Sequence, residues 1–290
     1  MDVRKIQLVG NRSYAVSLPK EWVLKNNLKQ KDKVYITESS SNKLSIKLDS
    51  NQVQDKKQME INLDNISHIP QFVVFCYVKN IDRVTFYWKK NNVSKVRKIK
   101  QVLNYLDGYD IIDESNGKIE IAFLFNDVNI TLQKIIRRLM HLLKVMVNSC
   151  KEKDYQLVEE TENSIDRLYH LSRRILFLCM KNNDARKENG IFHGEDIYFY
   201  SEIMKRLEQI GDQLYMLKDQ KTSKEELDIV YNYILDIEKM FISKKELVPV
   251  KNYYENSKNS KLVNICNRIT ELSEDIFENL VAIEFDKNYN

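Results

Sequence analysis

The sequence predicts a multidomain α+β protein, and three observations predict it. Short alternating runs bounded by turn residues fill the first fifty positions; strand-like and helix-like periods interleave over the next seventy-five; from about residue 130 apolar residues recur at the spacing of long helices. The expected order is a β-rich module over residues 1–50, a small α+β domain over 52–127 and an all-α helical bundle over 130–290. A chain of 290 residues is long enough for cores of that number.

In the N-terminal module, residues 4–8 and 13–18 alternate on either side of Gly10-Asn11, which predicts two strands and a tight turn. Pro19 presets φ for the first turn of a brief helix over 20–27, with Trp22, Val23 and Leu28 as its buried residues. Residues 33–37 and 43–48 alternate again across a Ser/Asn turn, so the order reads ββαββ. Charge is concentrated here. Residues 1–50 hold ten Lys/Arg against five Asp/Glu, and the remainder holds 36 against 37, so the basic excess belongs to this module alone. Arg4, Lys5, Arg12 and Lys20 are the candidate phosphate contacts, because each phosphate neutralised by a cation releases condensed counterions. In a regular strand Arg4 and Lys5 point to opposite faces, so only one of the two could meet a given phosphate backbone; on charge alone the alternative is an ordinary solvated lysine-rich surface.

The run RKIQLVGNRSYAVSLPKEWVLKNNLKQKDKVYI resembles the AbrB (SpoVT-AbrB) DNA-binding domain. The shared pattern is the glycine turn, the VSLPKEW strand-to-helix junction and the approach to the third strand. The resemblance implies a swapped-hairpin β module, an intertwined homodimer, and double-stranded DNA bound through basic residues on one face. Where that family places glycine before the acidic residue of the third turn, this chain has Lys31 before Asp32, which predicts a turn of another type.

The middle segment reads as a strand over 59–63, a helix over 69–79, a strand over 83–88, a helix over 93–106 that stops at Gly108, and a hairpin of 109–113 with 118–124 closed by Asn116-Gly117. It has no phosphate loop and no catalytic constellation, so its expected work is to connect, pair or sense.

In the bundle, Leu132, Ile135, Ile136, Leu139, Leu142, Leu143, Met146 and Val147 give the first helix a wide apolar face. Further helices are expected over 153–180, 195–218, 224–241 and 259–285, with Pro249 breaking the chain between the last two. In the second of these helices Leu157, Val158, Ile165, Leu168, Tyr169, Ile175, Leu176 and Cys179 are expected to face inward. Two acidic pairs stand out. Glu162 with Asp166, and Glu208 with Asp212, are each four residues apart and share one face of a helix, with Glu159 a turn before the first pair. Like charges so spaced repel, so the stripe gains from basic partners or from a divalent or transition metal ion such as Mg, Mn, Fe or Zn. The alternative is a solvated face paired with Arg167, Arg173 and Arg206. His170 extends the first pair by one turn, as a candidate ligand or as an ordinary surface histidine. No cofactor is required by any of this.

EETENSIDRLYHLSRRIL and YSEIMKRLEQIGDQLYML, within residues 130–245, resemble the two conserved stretches of a PhoU domain. The resemblance implies a helical bundle, metal held by the Glu162/Asp166 and Glu208/Asp212 pairs, and a part in regulating phosphate uptake, with a phosphate transporter ATPase or a sensor protein as partner. Gln213 and Met216 stand where many members carry His and Asn, which removes two polar groups from the ligand set. An AbrB module ahead of a PhoU bundle is similar to phosphate-uptake regulators found mainly in archaea. The function expected is therefore transcriptional regulation of phosphate homeostasis. The competing expectation is a signalling adaptor whose N-terminal module only dimerises.

No enzymatic activity is expected, since the acidic pairs lack a companion base or histidine set to use a metal hydroxide. Cys76, Cys150, Cys179 and Cys266 are widely spaced with no CxxC, as buried thiols of a reducing compartment are. The run 72–78 is too short to span a bilayer and no leader pattern opens the chain, so no membrane insertion and a cytoplasmic location are expected. His68, His141 and His193 have no nucleophile pattern. Tyr198, Tyr200, Tyr215, Tyr231 and Tyr233 read as packing residues at helical apolar positions.

Overall fold

The computed structural model describes residues 3–10, 12–40, 43–48, 57–89, 93–125, 130–242 and 260–289. The chain divides into two compact units, Met1–Asp55 and Lys56–Asn290.

In the first unit, β1 (Gln7–Val9) pairs antiparallel with β2 (Ser13–Ala15), Leu8 opposite Tyr14. Pro19 caps α1 (Lys20–Lys25), and its carbonyl accepts the Val23 N–H at 3.1 Å. β3 (Val34–Ser40) and β4 (Lys43–Leu48) form a second antiparallel hairpin with a bulge between Glu38 and Ser40. The order is ββαββ, with β1 and β2 shorter than the alternation suggested, β3 longer, and β4 at its expected bounds. The two hairpins are separate two-stranded sheets, and a lone hairpin has no second layer to bury its apolar face. Accordingly no described side chain of this unit is buried. Trp22, Val23 and Leu28, expected inside, are half-buried because α1 has only six residues and nothing closes over it. Ile6, Leu8, Val9, Tyr14, Leu24 and Ile36 are all more than half exposed, Tyr14 at 77%.

Lys31 corrects the reading of the third turn. Its φ is +77°, the left-handed conformation a glycine would take, so the turn keeps its geometry and a lysine bears the strain. Asp32 holds the turn closed by accepting the Lys29 N–H at 2.7 Å and donating its own N–H to the Lys29 carbonyl at 3.1 Å.

The second unit opens with a four-stranded sheet in the order β5-β6-β8-β7. β5 (Gln58–Asn62) runs parallel to β6 (Arg83–Tyr87), and α2 (Ile69–Val78) is the crossover that a parallel pair requires. After α3 (Val93–Leu103), β7 (Tyr109–Ser115) takes the edge and β8 (Lys118–Phe123) pairs antiparallel with both β6 and β7. Gly108, φ +88°, makes the entry to β7 possible: a Cβ there would meet the Phe123 ring at 2.6 Å. Val84, Phe86, Ile119 and Ile121 of the sheet are fully buried, as are Val73, Cys76 and Tyr77 of α2 and Ile99 of α3.

The helices follow: α4 (Leu132–Glu152), α5 (Tyr155–Lys181), α6 (Asn183–Glu188), α7 (Asp196–Tyr215), α8 (Lys224–Ile242) and α9 (Ser260–Tyr289). Lys153, left-handed at φ +58°, ends α4, and Asp154 caps α5 by accepting the Leu157 N–H at 3.0 Å. α4 packs on α5 and α8, α7 on α5 and α9, and α2 on α5, so sheet and bundle share one continuous core. α6 escaped the periodicity because it buries only Ala185; its visible signal is Asn182, whose side chain accepts the Asp184 N–H at 2.8 Å. Leu157 and Tyr198, expected to pack, are exposed, Tyr198 at 64%. Tyr200 and Tyr233 are buried, Tyr215 and Tyr231 half-buried. All four cysteines are buried free thiols. Pro249 lies outside the described residues. Among the described residues no helix is long and apolar enough to cross a membrane.

Candidate nucleic-acid interface and the acidic cluster

The four basic candidates are exposed. The pairing of Gln7 with Ala15 defines the open end of the first hairpin, and Arg4 and Lys5 lead into that end while Lys20 leaves it as the first residue of α1. Arg12 sits at the closed end, just before β2. The hairpin therefore carries cations at both ends. Arg4 and Lys5 lie ahead of β1 and outside its alternation, so the argument that only one of them can reach DNA does not apply. Lys25 at the end of α1, then Lys29, Lys31 and Lys33, continue the exposed basic run.

The structure gathers the two acidic pairs between α5 and α7. Gly211 allows the close approach: a Cβ at this buried position would meet two carbons of Ile165 at 3.2 Å, so the Ile165 side chain would have to give by a few tenths of an ångström, and the Glu162 Oε2 at 3.6 Å. Burial pushes the Glu162 carboxyl up to about 8, helped by its hydrogen bond with Asp212 and the charges of Asp166, Asp212 and Glu208. Asp166 rises to about 6, again chiefly through burial, then Glu208 and Asp212, with Lys205 and Arg167 opposing. Glu162 Oε2 is enclosed with no donor reaching it. Two carboxyls in hydrogen-bond contact need a proton between them, and the raised Glu162 carboxyl is the group that carries it.

The cluster is half-buried at Glu162, Asp166 and Glu208 and exposed at Asp212. Arg206 pairs with Asp275 at 2.6 Å and Glu202 at 3.1 Å, and Arg167 with Asp107 at 3.5 Å. Lys205 lies 2.9 Å from Glu208 and joins Arg167 in drawing Asp166 down, a role legible in sequence only as an i, i+3 pair. Glu159, a turn earlier, is exposed. His170 is no ordinary surface histidine: its Nδ1 is buried without a partner, and burial with the neighbouring charges of Arg173 and Lys205 holds the imidazole down at about 4. Its charged neighbours are cations, not the carboxylates.

Among the described residues no group of three or more His, Cys, Asp or Glu is placed to hold a metal ion.

Residues 7–50 match the family described as "Antidote-toxin recognition MazE, bacterial antitoxin". No curated protein and no solved structure matches the chain. The match covers well under half of the protein and coincides with the ββαββ unit, so the N-terminal segment carries an AbrB/MazE-type module.

Proposed function

We propose that this protein is a DNA-binding regulator that acts as a homodimer through its N-terminal module. The carrying observation is a module with no buried side chain among its described residues: basic at both ends of its first hairpin, and apolar and exposed at Leu8, Val9, Tyr14 and Ile36. A second copy supplies the missing core, since so many large apolar side chains on one small unit mark an association surface. Dimerisation also doubles the phosphate contacts. The AbrB/MazE-type match supports a DNA-binding or antitoxin-type regulator.

The finer reading rests on the PhoU resemblance of the bundle and gives the regulator a role in phosphate homeostasis. The acidic cluster between α5 and α7 is then a place where an effector can favour one packing of the bundle over another, which requires different affinities for the two. In the adaptor reading the bundle docks on a phosphate transporter ATPase or a sensor and the module only dimerises. The family name of the matched module favours a further variant, in which the exposed apolar strands hold a toxin protein.

Fluorescence anisotropy tests the proposal with the intact protein and a residues 56–290 fragment, on duplex DNA from the gene's own upstream region and on a scrambled duplex. Preferential binding by the intact protein alone supports it. Equal affinity of the fragment contradicts it.

A further inference from the structure

The outer face of α2 is apolar and lies against α5 beside cations that no carboxylate among the described residues pairs with. Pro70, Val74, Phe75 and Val78 line a cavity of about 490 Å³ between the two helices, closed on the α5 side by His170 and Arg173 and at the end of α2 by Lys79. That volume falls in the range of small-molecule sites. α2 is apolar on all sides, which suits a helix covered on all sides, yet Phe75 is 45% exposed.

The charges are one-sided. Among the described residues no carboxylate pairs with Arg173 or Lys79; Arg173 lies over the Tyr169 ring, 5.5 Å from its centroid, and Lys79 over Phe75 and Phe177 at 5.6 and 4.4 Å. His170, neutral well below physiological pH, adds a buried Nδ1 with no partner. The negative end of α2 does not cancel these cations, because the carbonyls of Phe75, Cys76 and Tyr77 accept the N–H groups of Lys79, Ile81 and Asn80.

We infer that the α2/α5 cavity binds a small amphipathic anion, a carboxylate or phosphate ester with an apolar tail or ring: the apolar part lies on Val74, Phe75 and Val78, and the anionic head meets Arg173, Lys79 and His170. Arginine's fork suits either head group. This inference stands on the second unit alone and holds whether or not the first binds DNA.

Isothermal titration of the full chain tests it with four probes: octanoate, octyl phosphate, inorganic phosphate and neutral octanamide. One or both octyl anions are expected to bind at one site per chain, at least tenfold tighter than octanamide and inorganic phosphate; the stronger of the two identifies the head group. The Arg173→Gln/Lys79→Gln variant is expected to weaken the anion tenfold or more, while Lys187→Gln, which removes an exposed charge elsewhere, leaves it unchanged. Far-UV circular dichroism checks that each variant is folded. Octanamide binding as tightly as the anions, no saturable binding of any octyl probe, or full affinity in the folded double variant overturns the inference.

Discussion

The Arg174 guanidinium on α5 lies 3.8 Å from the centroid of the Phe123 ring on β8, and this contact fastens the helical bundle to the sheet. The same guanidinium donates to the Tyr77 carbonyl at 2.6 Å, reaches Asp82 at 3.6 Å and lies over Tyr77. In return the Asn80 side-chain amide donates to the Arg174 carbonyl at 3.0 Å. A cation that is 93% enclosed is tolerable only with such partners.

Arg174→Ala is therefore expected to lower unfolding stability by about 3 kcal/mol, from the lost ring contacts and the orphaned Tyr77 carbonyl. Denaturant melts followed by tyrosine fluorescence and circular dichroism measure it. A loss under about 1 kcal/mol contradicts a joint of this kind.

Glu162 and Asp166 make stability depend on pH with a definite sign. Their folded values, about 8 and about 6, lie above those of ordinary carboxyls, so the folded chain holds protons that the unfolded chain has released. Their contribution is full below about pH 4 and is lost as pH rises through 6 and then 8. Glu162→Gln keeps the hydrogen bond without the charge. After allowance for solvent screening it is expected to gain roughly 1–2 kcal/mol at pH 8 and little at pH 5. Thermal melts of both proteins across that range check it, and an equal shift at both ends contradicts a Glu162 carboxyl that holds its proton in the folded chain.

Lys31→Gly relieves the left-handed backbone at φ +77°. The relief exceeds the added freedom of the unfolded chain, so a net gain of about 0.5–1 kcal/mol in the N-terminal unit is expected. Hydrogen exchange of that unit's amides reads the change without interference from the larger core.

Leu8→Asp with Ile36→Asp places charge on the exposed apolar face of the module. Sedimentation equilibrium is expected to move from dimer toward monomer. An unchanged mass contradicts association through these strands.

Much of the fold was legible in the residues because local signals agreed with the final packing. The α2 crossover, the Asn116-Gly117 hairpin and the long apolar stripe of α4 all lie near their expected bounds. The misses have physical causes. Trp22 and Val23 look like core residues but sit in a unit with no second layer, and Lys31 occupies a glycine conformation that composition does not reveal. The pairing of Glu162/Asp166 with Glu208/Asp212 could be read only as two separate stripes. What joins them is the close approach at Gly211, and a cation beside them is Lys205. Arg174 left no sequence signal, since its partners are 51 to 97 positions away.

The salt dependence of DNA affinity tests the central claim most directly. If the basic module of a dimer neutralises phosphates, log K falls steeply with log salt for the intact protein, and Arg12→Ala/Lys20→Ala flattens the slope by up to about 3.6, roughly 0.9 for each of four lost contacts. The dimer is expected to survive that substitution. A slope identical in the two proteins, or no measurable affinity for duplex DNA at low salt, contradicts the account.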